Sequence, residues 1–224
     1  MAEDKSSDGP SKLSCRCGTT CFTFSAPSPR HSLECLCCDC LQKMEWANKK
    51  AKELGLSPAP GPLPEVPELR YFENVIEKVE GKENIKLFLL REDGRSKFVV
   101  ACCCYTAMLV DHPFYLQNVV MVLPSTVVKS QKTVPFVRIY IKDWEKQRKA
   151  EGKEADVSLL PPFEGIQLFY DERDPQSGPN SREEVRKHFN NGPPSEEAKK
   201  KGKTLQQLLL EWGLEKPENL GLKG

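Results

Sequence analysis

The sequence predicts a mainly β fold with one short helix beside its cysteine motif and a helical C-terminal extension. Three observations carry that reading. Between residues 70 and 142, short apolar runs rich in β-branched and aromatic residues recur at regular spacing, separated by turn residues. Ahead of these runs, helical periodicity is confined to a single stretch that begins near Asp39. Prolines at 58, 60, 62, 64 and 67 then forbid both helix and inner strand across 57–68. With 224 residues the chain can bury one sizeable core and still carry extensions.

Taken in order, residues 1–12 are polar and read as a disordered tail. A turn and strand cover 14–25, where Phe22 and Phe24 share one face and Cys21 lies on the other, a packed position rather than a ligand. Residues 26–29 turn the chain. His31 lies in polar surroundings and reads as a solvated side chain. Asp39 and Gln42 have capping-box spacing, so a helix is expected from Asp39 to Leu54. Its apolar stripe is Leu41, Met44, Ala47, Ala51 and Leu54, its wet side is Lys49, Lys50 and Lys52, and Gly55 stops it.

After the proline-rich loop 57–68, expected to form a spacer or a rim, strands are expected at 70–79, 85–91, 97–103, 107–110, 118–123 and 134–142. The Asp93-Gly94 pair closes a hairpin between the second and third of these. Residues 145–156 are highly charged, 161–165 form a turn, and 166–170 can add a strand. The polar stretch 171–203 leads to an amphipathic helix over 204–213. Thr204 caps it, Leu205, Leu208, Leu209 and Trp212 form its stripe, and Gly213 ends it. This organises the chain as a tail (1–12), a domain (13–170) and an extension (171–224). Docking of the last helix on its own core is the default expectation, with a protein partner as the alternative.

Charges almost cancel, with 33 Lys and Arg against 32 Asp and Glu, so no global field draws the protein to nucleic acid or membrane. The lysine cluster at 199–203 reads as a solvated face. The first residues lack an apolar segment and no run approaches the ~18 apolar residues of a membrane span. An intracellular location, cytoplasmic or nuclear, is therefore expected, where cysteines stay reduced or bind metal.

There are ten cysteines, and their distribution is the strongest functional signal. Four fall within Cys35-Leu36-Cys37-Cys38-Asp39-Cys40, with Cys15, Cys17 and Cys21 upstream and Cys102-Cys103-Cys104 far downstream. Thiols clustered at distant points are tied together by metal, and zinc is the expected ion because it takes thiolates tetrahedrally without redox change. A disulfide framework is the alternative, which adjacent cysteines accommodate poorly. Cys35, Cys37 and Cys40 supply three corners of a tetrahedron, with Cys38 turned away and the fourth corner either filled from elsewhere or open. Cys37 and Cys40 sit at a helix start, where free N–H groups and the dipole favour thiolates. Cys15 and Cys17 need two further ligands. Strand alternation would put Cys102 and Cys104 on one face and Cys103 on the other.

These pieces resemble the glutathione-dependent formaldehyde-activating enzyme domain, a family shared with centromere protein V. The matching segments are Cys15-Arg-Cys17-Gly18, Cys35-x-Cys37-x-x-Cys40 and Cys104-Tyr105-Thr106-Ala107-Met108-Leu109. Arg138-Ile-Tyr-Ile141 with Trp144, and 160–165, are similar to its closing segments, so the likeness covers about 13–166. The resemblance implies a β-tent of stacked antiparallel sheets with two zinc positions. One, on Cys15, Cys17 and the late cysteines, is structural. The other, on Cys35, Cys37 and Cys40, is where a glutathione–formaldehyde adduct meets the metal in a carbon–sulfur lyase reaction. The chain departs from the family at Ala101, where a thiolate is expected. Cys102 can substitute after a backbone shift, or the outer site stays empty. Tyr105 replaces a glycine, and Arg138 a frequent histidine.

Two functions follow. One is a zinc-dependent lyase acting on a thiol adduct, with glutathione as the small-molecule partner. The other is a non-catalytic zinc module whose C-terminal helix and lysine segment engage a protein or chromatin. No general base stands out, since His112, the histidine nearest the core, lies in a turn.

Overall fold

The computed structural model describes residues 9–168, 187 and 189–222. Most of the expected tail and about half of the polar stretch 171–203 fall outside these residues. Thirteen strands are described: β1 (Ser11–Ser14), β2 (Cys21–Phe24), β3 (His31–Cys35), β4 (Glu68–Glu73), β5 (Ile76–Glu80), β6 (Ile85–Leu89), β7 (Lys97–Ala101), β8 (Thr106–Asp111), β9 (Val119–Val122), β10 (Val127–Lys129), β11 (Val137–Ile139), β12 (Ile166–Gln167) and β13 (Glu218–Asn219). The described helices are α1 (Cys38–Glu53), α2 (Ile141–Ala150), α3 (Glu196–Lys199) and α4 (Leu205–Glu211). The fold is thus mainly β, with more helix than the single core element expected from the sequence.

The strands form two sheets. A four-stranded antiparallel sheet runs β10-β1-β2-β5, and a nine-stranded sheet runs β12-β11-β3-β4-β9-β8-β7-β6-β13. The larger sheet is antiparallel in its middle, while β11 runs parallel to both β3 and β12, and β13 parallel to β6.

Alternation along the central strands gives the large sheet two buried faces. In β9, Val119 and Met121 face one core, and Val120 and Val122 the other. Phe98 and Val100 of β7 likewise oppose Val99 and Ala101. The first core is closed by Met44 and Ala47 of α1. The second is closed by Leu13, Phe22 and Phe24 of the small sheet and by Leu205 and Leu209 of α4. A bulge between Val99 and Val100 sets Met108 and Leu109 of β8 together on the second side.

Three expectations change. The strand expected at 70–79 is two strands in different sheets, because the chain crosses between them at Asn74 and Val75. The strand expected at 134–142 ends at Ile139, where Tyr140 takes a left-handed φ of 63° and α2 begins. Ile141 and Trp144, one helical turn apart, bury with Leu36 and Leu160 and make that helix pay despite its charged exterior. β1 starts at Ser11, inside the expected tail, because it fills the middle of the small sheet between β10 and β2. The expected hairpin at Asp93-Gly94 does join β6 to β7, and Gly55 closes α1 with φ 62°. α4 has the expected capping box from Thr204 and Gln207 and docks on its own core through Leu205 and Leu209. Among the described residues no helix is long and apolar enough to cross a membrane.

Candidate metal centres

All ten cysteines are free thiols. Seven of them gather in two groups whose sulfurs lie within 4.8 Å of one another: Cys15, Cys17, Cys103 and Cys104, and separately Cys35, Cys37 and Cys40. Cys15 and Cys104 belong to the core under the small sheet, Cys35 and Cys40 to the core under α1. The two groups therefore sit on opposite faces of the nine-stranded sheet. Four thiolates tetrahedrally bound at 2.3 Å stand about 3.8 Å apart, so sulfur spacings near that value fit zinc, and a disulfide at about 2.05 Å does not arise. The observed Sγ–Sγ distances are 3.4 Å (Cys15–Cys17), 3.6 Å (Cys15–Cys103), 3.5 Å (Cys17–Cys103), 3.3 Å (Cys35–Cys37) and 3.9 Å (Cys35–Cys40).

The outer group is built on the turn between β1 and β2. Gly18 N–H donates to the Cys15 carbonyl at 3.0 Å, and its φ of 79° is a conformation that glycine adopts without strain. Thr20 N–H donates to the Cys15 sulfur at 3.3 Å. Gly81 admits this turn: a Cβ there would stand 2.3 Å from the Thr19 carbonyl oxygen. From the other side, the turn after β7 presents Cys103 and Cys104. Cys104 N–H reaches the Ala101 carbonyl at 3.4 Å, and Tyr105 turns the chain with φ 49°. Arg16 ties the halves together, its guanidinium donating to the Cys104 carbonyl at 2.5 Å and to Asn48 Oδ1 at 3.2 Å.

The structure brings Cys103, not the expected Cys102, to this group. Strand pairing stops at Ala101, and in the turn that follows alternation no longer holds, so the neighbours Cys103 and Cys104 both enter the group. Cys102 points instead towards the Val100 carbonyl, 3.9 Å away. Cys103 was the ligand candidate that strand logic discarded, and the four-thiol group is complete without a cysteine at 101. The adjacent Cys103-Cys104 pair, incompatible with ligation from one strand face, was the available sign of a turn.

The inner group joins the end of β3 to the start of α1. Cys35 closes the strand, Cys37 is the N-cap residue and Cys40 lies in the first helical turn. Asp39, expected to cap the helix, instead pairs with Arg91. Cys35 and Cys40 are buried and Cys37 half-buried. Cys38 turns away, its sulfur 3.7 Å from Asp39 Oδ1, while its N–H donates to Asp143 of α2 at 3.3 Å. Around the trio stand groups not singled out in the sequence. Lys43 is fully buried on α1. Tyr71 and Tyr115 bring their hydroxyls within 3.5 Å, and burial, with the nearby thiols adding, pushes both phenols up. Cys21 stands apart from both groups, its sulfur 3.9 Å from the Phe22 carbonyl. His112 caps a short turn by accepting from Phe114 N–H at 3.1 Å, and it belongs to neither thiol group.

In each group hydrogen bonds among the thiols hold some of them down and push others up. Hydrogen bonding from Cys15 holds Cys104 down at about 4 against the cost of burial, with Thr106 assisting at 3.0 Å. Cys15 is pushed up by that same bond and by burial. In the inner group Cys35 and Cys37 hold Cys40 well below the ordinary thiol value, and Lys43 helps, while Cys35 and Cys37 are themselves pushed up. A bound cation would remove the remaining protons. Both groups can therefore hold a metal ion, and their soft, all-sulfur donor sets suit zinc.

Comparison of the chain with protein-family models, curated proteins and solved structures finds no match, so none of them identifies a family for it.

Proposed function

We propose that the protein binds two zinc ions, the outer one structural and the inner one open to a thiol ligand. The observation that supports this division is the donor count. The outer group offers four sulfurs, a closed tetrahedron, whereas the inner group offers three among the described residues. Zinc at the inner group would supply a Lewis acid with an affinity for thiolates. On this reading the ligand is glutathione or its formaldehyde adduct, and the activity a carbon–sulfur lyase of the kind the formaldehyde-activating resemblance implies. The backbone at Tyr105 supports that resemblance. It stands where the family has glycine, and its φ of 49° lies in the region that favours glycine.

A non-catalytic zinc module is the second reading. It is favoured by the cover over the inner core, where Phe189, Leu220 and Leu222 of the extension pack against the cluster to which Cys35 and Cys40 belong. A partner for the C-terminal helix or its lysine segment belongs to this alternative.

Elemental analysis of freshly purified, reduced protein tests the proposal, with two zinc ions per chain expected. Cys35→Ser and Cys103→Ser should each lose one ion, and Cys102→Ser none. Zinc-free protein, or equal losses from Cys102→Ser and Cys103→Ser, would refute the assignment. Calorimetry with millimolar glutathione on zinc-loaded protein separates the two readings: heat that Cys40→Ser abolishes supports the open site, and its absence supports the module.

A further inference from the structure

Lys43 lies three residues after Cys40, on the same face of α1, and is 1% exposed. Lysines so deeply buried are rare unless a negative charge accompanies them, because desolvating an ammonium costs several kcal/mol even after relaxation (roughly, by continuum estimates). Among the described residues no carboxylate lies within ion-pair distance of it. Asp39, one turn back, gives its carboxylate to Arg91 and only its carbonyl oxygen to Lys43, at 3.3 Å. The ring of Phe98, 5.9 Å from its ammonium, offers a weak cation–π contact. The anion source nearest in the fold is the thiol trio: Cys40 precedes Lys43 by three residues on the same face of α1, and Cys37 caps that helix. Thiolates there would supply the charge that compensates the buried cation.

We propose that Lys43 is the built-in counter-charge of the inner centre, a positioning residue that favours a metal held by Cys35, Cys37 and Cys40 as thiolates. The inference rests on the zinc reading of that group. Three thiolates and one divalent cation carry a net charge of −1, and the ammonium brings the buried unit to neutrality. A neutral unit can take an anionic fourth ligand at a lower electrostatic cost than a unit already negative. The outer group shows the contrast: Arg16, its nearest guanidinium, spends its donors on carbonyl oxygens of Cys104 and Pro58 and on Asn48.

The test uses the full chain loaded with zinc, challenged with increasing chelator. Cysteine alkylation mapped by mass spectrometry reports which group has released its metal. Lys43→Gln and Lys43→Met should weaken zinc at Cys35, Cys37 and Cys40 by at least about tenfold, with Cys15, Cys17, Cys103 and Cys104 unchanged. Lys43→Met, an apolar side chain of similar length, keeps the buried packing, so its metal-free melting temperature should stay at that of wild type. A merely packing role would lower the metal-free melting temperature and leave the affinity alone. Wild-type retention in Lys43→Gln overturns the inference while leaving the zinc assignment intact. Wild-type protein whose inner group holds no zinc overturns both.

Discussion

A histidine in a polar turn is ordinarily wet, and His31, flanked by Arg30 and Ser32, carries no sequence signal to the contrary. In the fold it is 7% exposed, stacked against Tyr71 at 4.6 Å and Phe189 at 5.3 Å. Neither ring nitrogen has a hydrogen-bond partner among the described residues. Tyr71 is its register partner on β4, and Phe189 comes from more than 150 positions away, so nothing local announces the burial. Burial, with Arg30 adding, lowers its pKa from 6.5 to about 4. The unfolded chain then binds more protons than the folded one between those values, so stability falls as pH drops from 6.5 towards 4, by up to about 3 kcal/mol. His31→Phe keeps the stack and removes the titration. Urea unfolding at pH 7 and pH 4.5 should show the variant gaining on wild type at the lower pH, and a constant difference would contradict the neutral buried imidazole. Cys103 teaches the same lesson at the metal group. The residue types and the C-x-C-x-x-C spacing of the inner trio were legible, but the choice between Cys102 and Cys103 depends on where β7 stops, and that is set by its pairing with β6 and β8.

Among elements, strands and helices with strong local patterns were legible: the alternation of β7 and β9, the stripe of α1 and the capping box of α4. What stayed hidden were junctions decided by distant partners. Asn74 is the clearest. It sits between β4 and β5, fully buried, where the chain leaves one sheet for the other. Its side-chain carbonyl accepts from Leu205 N–H at 2.8 Å, at the first turn of α4, and its amide donates to the Gln117 carbonyl and to Gln206, both at 2.9 Å. One side chain thus links the sheet crossing, the β8–β9 connection and the C-terminal helix. Asn74→Ala should cost about 2–4 kcal/mol, since it orphans a buried N–H and a carbonyl. Chemical denaturation measures the loss, and limited proteolysis should find α4 more accessible. A change below about 0.5 kcal/mol would show that α4 is held by Leu205 and Leu209 alone. α2 was missed for a related reason, because its charged exterior hides the buried pair Ile141 and Trp144 that needs Leu36 and Leu160 to complete it.

For the whole molecule, one sheet with two buried faces separates the two thiol groups, so each fastens a different core. The outer group joins the β1–β2 turn to the turn after β7, and the inner group joins β3 to α1. A ligand bound only by the folded state stabilises by about 4 kcal/mol when its free concentration is a thousandfold above Kd. For a chain of this size that corresponds to roughly 10 °C per site. Treating the zinc-loaded protein with 1,10-phenanthroline should therefore lower the melting temperature in two separable decrements, and an unchanged curve with zinc removed would show that neither centre supports the fold. The rims of the same sheet matter in another way. Among the described residues it terminates in two-residue strands, Ile166–Gln167 on one flank and Glu218–Asn219 on the other. β13 lies along β6, and Leu220 and Leu222 N–H groups continue onto the Leu89 and Leu90 carbonyls at 2.9 and 2.8 Å. The backbone of β6 is thereby covered at Phe88 and Leu89, and among the described residues what this flank offers a neighbouring molecule there is a two-residue strand carrying Glu218, too short and too polar to seed a fibril.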